Sequence, residues 1–149
     1  MKRLYSLSGH EDAVYSVEFS PDSKMVLSAS ADRTARTWTI GADGGAQAEV
    51  FSGHEHNVLN ASFAQTGGGI VTSSADKTVR TWKGTGPRTF TGAKDWVYVV
   101  RFSRDQQKIA GGAWDGSIYL WNAVDGKVIT QFSTGQGSNV PVVSSQKTP

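Results

Sequence analysis

From Gly53 to Trp82 the chain reads GHEHNVLNASFAQTGGGIVTSSADKTVRTW, and this stretch decides the fold. It opens on Gly-His, passes through Ser-Ala-Asp at residues 74–76 and closes on Trp. The same frame recurs from Gly9 to Trp38 and, with Ala93 in place of histidine, from Gly92 to Trp121. In every copy the second residue stands 28 positions before the tryptophan, so the chain is an array of repeats.

The copies also agree internally. An aspartate stands six residues before each tryptophan, at Asp32, Asp76 and Asp115. A serine stands two residues before the first two aspartates, at Ser30 and Ser74. The copies are separated by 44 and then 39 residues, because the segment after Trp38 is five residues longer than its counterpart.

Gly-His, Ser-x-Asp and Trp in these places resemble the WD-repeat (Trp-Asp repeat) β-propeller family, over about residues 2–133. The resemblance implies an all-β fold in which each repeat forms one four-stranded antiparallel blade around a central channel.

Short β-branched and aromatic runs separated by turn residues predict closely spaced antiparallel strands without any appeal to the family. The inner strands are predicted within about residues 13–40, 57–83 and 96–123, and the outer strands at about 48–52, 88–91 and 127–133. One further outer-type strand is predicted at about residues 3–7, before the first Gly-His. Residues 134–149 are predicted to form an extended C-terminal tail.

Composition bounds the class of protein. The chain has 149 residues, a net charge of +2 and no cysteine, which excludes disulfides and thiol chemistry. No apolar run is long enough for a membrane span, and no basic stripe with interleaved aromatic residues indicates nucleic-acid binding. We expect neither a membrane nor a nucleic-acid partner, and a cytoplasmic location fits the absence of cysteine.

The family resemblance implies a buried polar tetrad in each of the first two repeats. The sets are His10, Ser30, Asp32 and Trp38, and His54, Ser74, Asp76 and Trp82. In this interpretation the aspartate accepts hydrogen bonds from the imidazole and from backbone N–H groups, while the serine bridges the imidazole and the indole N–H. Such a network would fix strand register.

Ser, His and Asp in one set also suggest a nucleophilic triad. The structural interpretation is preferred, because the set occurs twice at identical spacing and no Gly-x-Ser-x-Gly elbow accompanies it. His54 and His56 suggest a metal site, but no third ligand is evident and exposure of His56 in a loop is the preferred explanation. We expect no catalytic residue, metal or cofactor, and therefore no enzyme.

The third repeat departs from the tetrad. Ala93 and Ala113 replace the histidine and the serine, which leaves Asp115 and Trp121 as a degenerate copy. The same repeat gains Trp96 and Trp114. We prefer the interpretation that these rings fill the vacated space. The alternative is a partner contact on the top face of the propeller, where the resemblance places a candidate set of Tyr15, Asn57, Trp96, Tyr98 and Trp114.

Three blades are too few to close a ring, since the usual range of the fold starts at about four blades. An open arc exposes an apolar face at each end, so we expect cyclic homo-oligomerisation through head-to-tail contacts. Three chains with nine blades are favoured, and two chains with six come next. In such a ring residues 3–7 of a neighbour could compete with residues 127–133 for the last blade. The chain could also be the terminal part of a larger propeller.

The leading function is a noncatalytic protein-interaction or assembly scaffold, whose partners are other copies of itself and an unidentified protein or peptide. One alternative is an enzyme that uses the central channel. The other is a purely structural propeller fragment without a ligand. A fold of this kind supports many functions, so sequence alone does not identify the partner.

Overall fold

Three antiparallel β-sheets pack face to face in the order in which they occur along the chain. The computed structural model describes residues 6–41, 44–83 and 87–133, and the backbone of residues 142–143. Within these residues every regular element is a strand, and no helix is available to span a membrane. The predicted all-β class with four-stranded blades is confirmed.

Each repeat supplies one sheet, here called blade 1, blade 2 and blade 3. Blade 1 contains β1 (Val14–Phe19), β2 (Met25–Ser30), β3 (Thr34–Gly41) and β4 (Gly44–Ser52). Blade 2 contains β5 (Val58–Phe63), β6 (Ile70–Ser74), β7 (Val79–Trp82) and β8 (Arg88–Phe90). Blade 3 contains β9 (Val97–Phe102), β10 (Lys108–Ala113), β11 (Ser117–Asn122), β12 (Val128–Ser133) and β13 (Val142–Val143). Neighbours in sequence are neighbours in each sheet.

The outer strands differ in detail from the sequence prediction. Strand β4 begins at Gly44 rather than at residue 48, because Gly41 and Gly44 pair and extend the β3–β4 ladder. Of the predicted strand at residues 3–7, residues 3–5 lie outside the described part of the chain, and Ser6 and Leu7 belong to no strand.

The C-terminal tail adds a fifth strand to blade 3. Val142 and Val143 of β13 pair with Gln131 and Thr130 on the outer side of β12. The remainder of the predicted tail, residues 134–141 and 144–149, lies outside the described residues. Within the chain, β12 pairs with β11 on its other side and supplies the fourth strand of blade 3. The exchange with a neighbour's residues 3–7 stays a prediction. The chain's own tail thus covers part of the outer edge of β12.

Two apolar cores lie between the blades. Between blades 1 and 2 the core contains Leu27, Ala29, Ala35, Phe51, Val58, Ala61, Phe63 and Ile70. Between blades 2 and 3 it contains Val71, Val79, Phe90, Val97, Val100, Ile109, Tyr119, Trp121 and Ala123. Blade 2 is thus covered on both faces. Blades 1 and 3 each have one face without a described neighbour.

The first strand of each blade carries a β-bulge at the same position. The register shifts between Val14 and Ser16, between Val58 and Asn60, and between the partners of Val97 and Val99. The extra residues are therefore Tyr15, Leu59 and Tyr98. A bulge redirects the side chain that it carries, and these three positions recur in the groove described below.

Candidate functional site

Blade 1 contains a buried polar network that joins the Gly-His loop to the third strand. The Nδ1 of His10 lies 2.7 Å from Oδ2 of Asp32, and its Nε2 lies 2.6 Å from the hydroxyl of Ser28. The indole N–H of Trp38 donates to the same Ser28 hydroxyl over 2.8 Å. If the imidazole carries its proton on Nδ1, toward the carboxylate, Ser28 donates to Nε2 and every member is satisfied.

Blade 2 repeats this network with threonine as the bridging hydroxyl. His54 lies 2.8 Å from Asp76 through Nδ1 and 2.7 Å from Oγ1 of Thr72 through Nε2. The indole of Trp82 donates to Thr72 over 3.0 Å. The His54 side chain is 1% exposed, so loss of a partner would leave a polar group without water to replace it.

The bridging hydroxyl is not the one that the sequence predicted. Ser30 instead accepts from the backbone N–H of Asp32 and donates to the carbonyl of Asp12, and Ser74 makes the equivalent bonds around Asp76. Strand register explains the correction. Val26 pairs with Trp38 and Ser28 with Arg36, which places Ser30 four residues, or roughly 13 Å, along the ladder from the tryptophan.

Each network aspartate also organises the backbone around it. Asp32 accepts from the N–H groups of Glu11 and Thr34 and from the Thr34 hydroxyl, the last over 2.6 Å. Burial raises the pKa of Asp32, but hydrogen bonds from Thr34 and His10 outweigh it and hold the pKa well below its ordinary value. The pKa of Asp76 is lowered in the same way, since hydrogen bonds from His54 and Thr78 outweigh burial.

Blade 3 satisfies the corresponding groups with other residues. Gly111 stands where Ser28 and Thr72 stand in the other blades, ten residues before the tryptophan. The indole of Trp121 therefore donates to the carbonyl of Thr91, over 2.8 Å. The hydroxyl of Tyr119 accepts from the backbone N–H of Lys94, the bond that an aspartate receives from Glu11 and Glu55 in blades 1 and 2. Asp115 is exposed and accepts from the N–H of Ser117.

The preferred interpretation of Trp96 and Trp114 as space-filling residues is wrong. Trp96 is 41% exposed and Trp114 is 67% exposed. The buried ring of this blade is Tyr119, which stacks on Trp121 with 5.6 Å between centroids and 19° between planes. Tyr119 stands at the position that Arg36 and Arg80 occupy in the other blades. A position that holds arginine in blades 1 and 2 thus belongs to the apolar core in blade 3.

Exposed rings form a continuous row across blades 2 and 3. The centroids of His56 and Trp96 are 6.4 Å apart, those of Trp96 and Tyr98 are 6.4 Å apart, and Tyr98 stacks on Trp114 at 5.1 Å. Tyr15 of blade 1 joins the row through its hydroxyl, which accepts from the Asn57 amide over 3.4 Å. We call Tyr15, His56, Asn57, Trp96, Tyr98 and Trp114 the aromatic surface.

The aromatic surface borders a groove that runs across the ends of the three first strands. The groove has a volume of about 470 Å³ and is lined by Tyr15, Ser16, His56, Asn57, Leu59, Asn60, Ala75, Trp96 and Tyr98. Among these described residues there is no Asp, Glu, Lys or Arg. The bulges supply Tyr15, Leu59 and Tyr98 to it. The structure thus brings the predicted candidate residues together, with Trp114 stacked at the end.

The polar networks do not form a nucleophilic centre. The hydroxyl near His10 belongs to Ser28, which is 3% exposed and also receives the indole hydrogen bond of Trp38. A substrate has no access to it. His54 and His56 do not converge, because His54 is bonded to Asp76 and Thr72 while His56 is exposed and accepts from Asn57 N–H. No metal-binding group of three His, Cys, Asp or Glu side chains occurs in residues 6–41, 44–83 and 87–133.

Sequence reasoning did not assign Ser28 and Thr72 to the networks, Tyr119 to the core or His56 to the aromatic surface. A signal for the first two existed, since both repeats with a histidine carry a hydroxyl ten residues before the tryptophan and the third carries glycine. The identical pair Ser30 and Ser74 was the more obvious match. Nothing in the sequence indicated that Tyr119 would replace an aspartate as acceptor.

The chain repeats a four-stranded antiparallel blade with a tryptophan on its third strand, and two of the three blades contain a His–Asp–hydroxyl network. These features define a β-propeller repeat protein. The family described as "WD domain, G-beta repeat" matches residues 1–39, 45–83 and 84–122. The chain belongs to the WD-repeat family. Repeats of this family generally bind other proteins and are typically noncatalytic.

A curated relative supports the assignment over a short stretch. Thirty-four residues are 47% identical to part of WD repeat-containing protein 1 of Gallus gallus. This stretch covers 23% of the present chain and 6% of that protein.

Proposed function

We propose that this protein is a noncatalytic interaction scaffold that binds a protein or peptide through the aromatic surface. The observation that carries the proposal is the row of exposed rings from His56 to Trp114 beside an uncharged groove. Large rings held at low entropy cost supply much of the binding energy in interfaces. Asn57 and the Tyr15 hydroxyl add hydrogen-bonding groups that suit a peptide backbone.

Substitution of the row tests this proposal. Trp96→Ala, Tyr98→Ala and Trp114→Ala should each weaken capture of a partner from the source proteome, by about tenfold or more for a central anchor. Val124→Ala is the matched control, because Val124 is also an exposed apolar residue but lies outside the groove. Partner recovery that is the same for all four variants would contradict the proposal.

The proposed scaffold closes its ring by cyclic homo-oligomerisation. Val17 and Phe19 of blade 1 are 68% and 65% exposed, whereas their equivalents Ala61 and Phe63 in blade 2 are 2% and 8% exposed against blade 1. We call the face of a blade that carries these positions its leading face. The leading face of blade 1 is thus an interface surface without a described neighbour.

The opposite face of blade 3, its trailing face, shows the same mismatch. Ile118 and Phe132 are 50% and 41% exposed. Their equivalents are buried in the inter-blade cores, as Ala35 and Phe51 in blade 1 and as Val79 and Phe90 in blade 2. An apolar leading face at one end and an apolar trailing face at the other suit a head-to-tail ring. Three chains with nine blades are proposed first, and two chains with six second.

Light scattering on a sizing column tests ring closure. The expected mass is three times, or twice, the 15.9 kDa of one chain. Val17→Asp should release monomers, because it places a charge in the leading face. Val124→Asp is the control, since it adds the same charge at an exposed site. A monomer at micromolar concentration would rule out self-association.

A further inference from the structure

The inner strands of neighbouring blades touch through a repeated set of polar contacts. The Ser16 hydroxyl of blade 1 accepts from the N–H of Ala61 in blade 2 over 3.3 Å. The Asn60 amide oxygen of blade 2 accepts from the N–H of Val100 in blade 3 over 3.1 Å. In both interfaces an acceptor on the trailing face meets a backbone donor on the next leading face.

The residue two positions after Ser16 and its equivalents forms a second set of contacts, directed toward the preceding blade. Ser62 of blade 2 donates to Oε1 of Glu18 in blade 1, over 3.3 Å. Arg101 of blade 3 donates to Asn60 of blade 2, over 2.7 Å. Glu18, Ser62 and Arg101 are the same position in the three repeats. Because blade 1 is first in the described structure, Glu18 has no preceding blade to meet.

Opposite charges therefore stand at the equivalent position of the two end blades. Within the chain, Glu18 of blade 1 contacts the equivalent residue of the next blade, Ser62. In a head-to-tail assembly the blade after blade 3 is blade 1 of the next copy, so Arg101 of one copy would face Glu18 of the next. The second carboxylate oxygen of Glu18, Oε2, is buried and has no hydrogen-bond partner among the described residues. Because the chain itself covers that atom, a neighbouring Arg101 would meet the negative charge of Glu18 rather than a free Oε2 acceptor.

The apolar parts of the two end faces match as well. The trailing face of blade 3 has a groove of about 330 Å³ lined by Val99, Val100, Arg101, Ala110, Gly111, Gly112 and Ile118. Val99 replaces the hydrogen-bonding Ser16 and Asn60, and Gly112 replaces Ala29 and Ser73. Val17 and Phe19 are exposed at the other end and are the apolar side chains available to fill such a groove.

We propose that the end faces bind a second copy of this chain head-to-tail, and that Arg101 of one copy pairs with Glu18 of the next to select this partner. The proposal rests on the self-association proposed above and adds its polarity and its specificity. Apolar burial supplies most of the affinity, and the charge pair rejects neighbours that present a like charge.

Charge reversal tests the pair. Glu18→Arg and Arg101→Glu should each raise the chain concentration at half-assembly by about tenfold or more, since each sets like charges against one another. The double variant E18R/R101E restores an opposite pair and should assemble within about threefold of wild type. Arg104→Glu, which makes the same charge change at an exposed site near Arg101, is the matched control.

A mixture of the two single variants reads out the number of chains. Glu18→Arg has arginine at both paired positions, and Arg101→Glu has glutamate at both. A contact between the two different variants therefore joins opposite charges, whereas a contact between two copies of the same variant joins like charges. A ring with an even number of chains can alternate them throughout, and an equimolar mixture should then assemble like wild type. A ring of three must contain at least one like contact, and the mixture should stay impaired.

A gentler variant guards against misfolding, because Glu18→Arg also removes the acceptor of the Ser62 hydroxyl. Glu18→Gln keeps that acceptor and removes the charge, and it should weaken assembly while leaving unfolding of the monomer unchanged. Assembly of wild type should also weaken with added salt. If wild type assembles but neither charge reversal nor salt affects it, the charge pair is wrong and self-association stands. If wild type is monomeric, both proposals fail.

Discussion

Blades 1 and 2 satisfy the same hydrogen-bond donors in one way, and blade 3 satisfies them in another. In each blade the loop before the first strand must be held against the third strand, and a backbone N–H and an indole N–H must find acceptors. Blades 1 and 2 use an imidazole, a carboxylate and a hydroxyl. Blade 3 uses the Tyr119 hydroxyl and the Thr91 carbonyl. Satisfaction of the donors is what all three blades share.

The second solution releases residues for other use. Asp115 no longer binds a histidine and becomes exposed, and Trp114 beside it lies at the surface, stacked on Tyr98. The corresponding residues in blades 1 and 2 are Ala31 and Ala75, next to buried aspartates. The blade that lacks the polar network thus contributes most rings to the aromatic surface.

Truncation of one aspartate in each kind of blade should give the largest contrast. Asp76→Ala removes the partner of a buried histidine and the acceptor of the Glu55 and Thr78 backbone N–H groups, and should lower the free energy of unfolding by about 3 kcal/mol. Asp115→Ala removes one exposed acceptor and should cost about 0.5 kcal/mol. Urea unfolding at one low chain concentration measures both. Equal losses would show that the two aspartates have the same role.

Rebuilding the missing hydroxyl in blade 3 should fail. A Cβ on Gly111 would lie 2.9 Å from Cζ3 of Trp121 and 3.0 Å from Cγ1 of Val97, so Gly111→Ser should cost about 2 kcal/mol. Gly41→Ser is the control, because its new Cβ would meet an ordinary contact at 3.5 Å from the Gly44 carbonyl oxygen. Thermal unfolding compares them, and a stabilised Gly111→Ser variant would mean that blade 3 has room for the bridging hydroxyl.

The fold was predictable because repeat spacing is written in the sequence. Equal distances from Gly-His to Trp fix where strands and turns recur, and alternation of apolar residues marks the strands. The identity of the bridging hydroxyl was harder to predict from the sequence, because Ser28 and Ser30 both lie on β2 and the pairing register decides between them. The roles of Tyr119, Trp96 and Trp114 depended on which ring entered the core, and that is settled by packing against blade 2.

The acid response should depend on the network carboxylates of blades 1 and 2. The folded-state pKa values of Asp32 and Asp76 lie below the unfolded value, so the stability that these carboxylates add is present above about pH 4 and is lost as the pH falls further. Asp76→Ala should therefore show a shallower fall in stability between pH 5 and about pH 2.5 than wild type. Asp32→Ala should flatten the curve in the same way, since the pKa of Asp32 is also lowered. A wild-type slope in Asp76→Ala would place the acid sensitivity elsewhere.

The smallest effect should come from the hydroxyl that replaces the aspartate. Tyr119→Phe keeps the ring that stacks on Trp121 but leaves the N–H of Lys94 and the amide of Gln131 without that acceptor, and should cost about 1 kcal/mol. Tyr98→Phe removes a hydroxyl from an exposed ring and should stay within about 0.5 kcal/mol of wild type. Urea unfolding distinguishes them. If Tyr119→Phe is as stable as Tyr98→Phe, stacking alone holds blade 3 together, and the exchange of a carboxylate for a phenol is a consequence of packing rather than a second way to satisfy the donor.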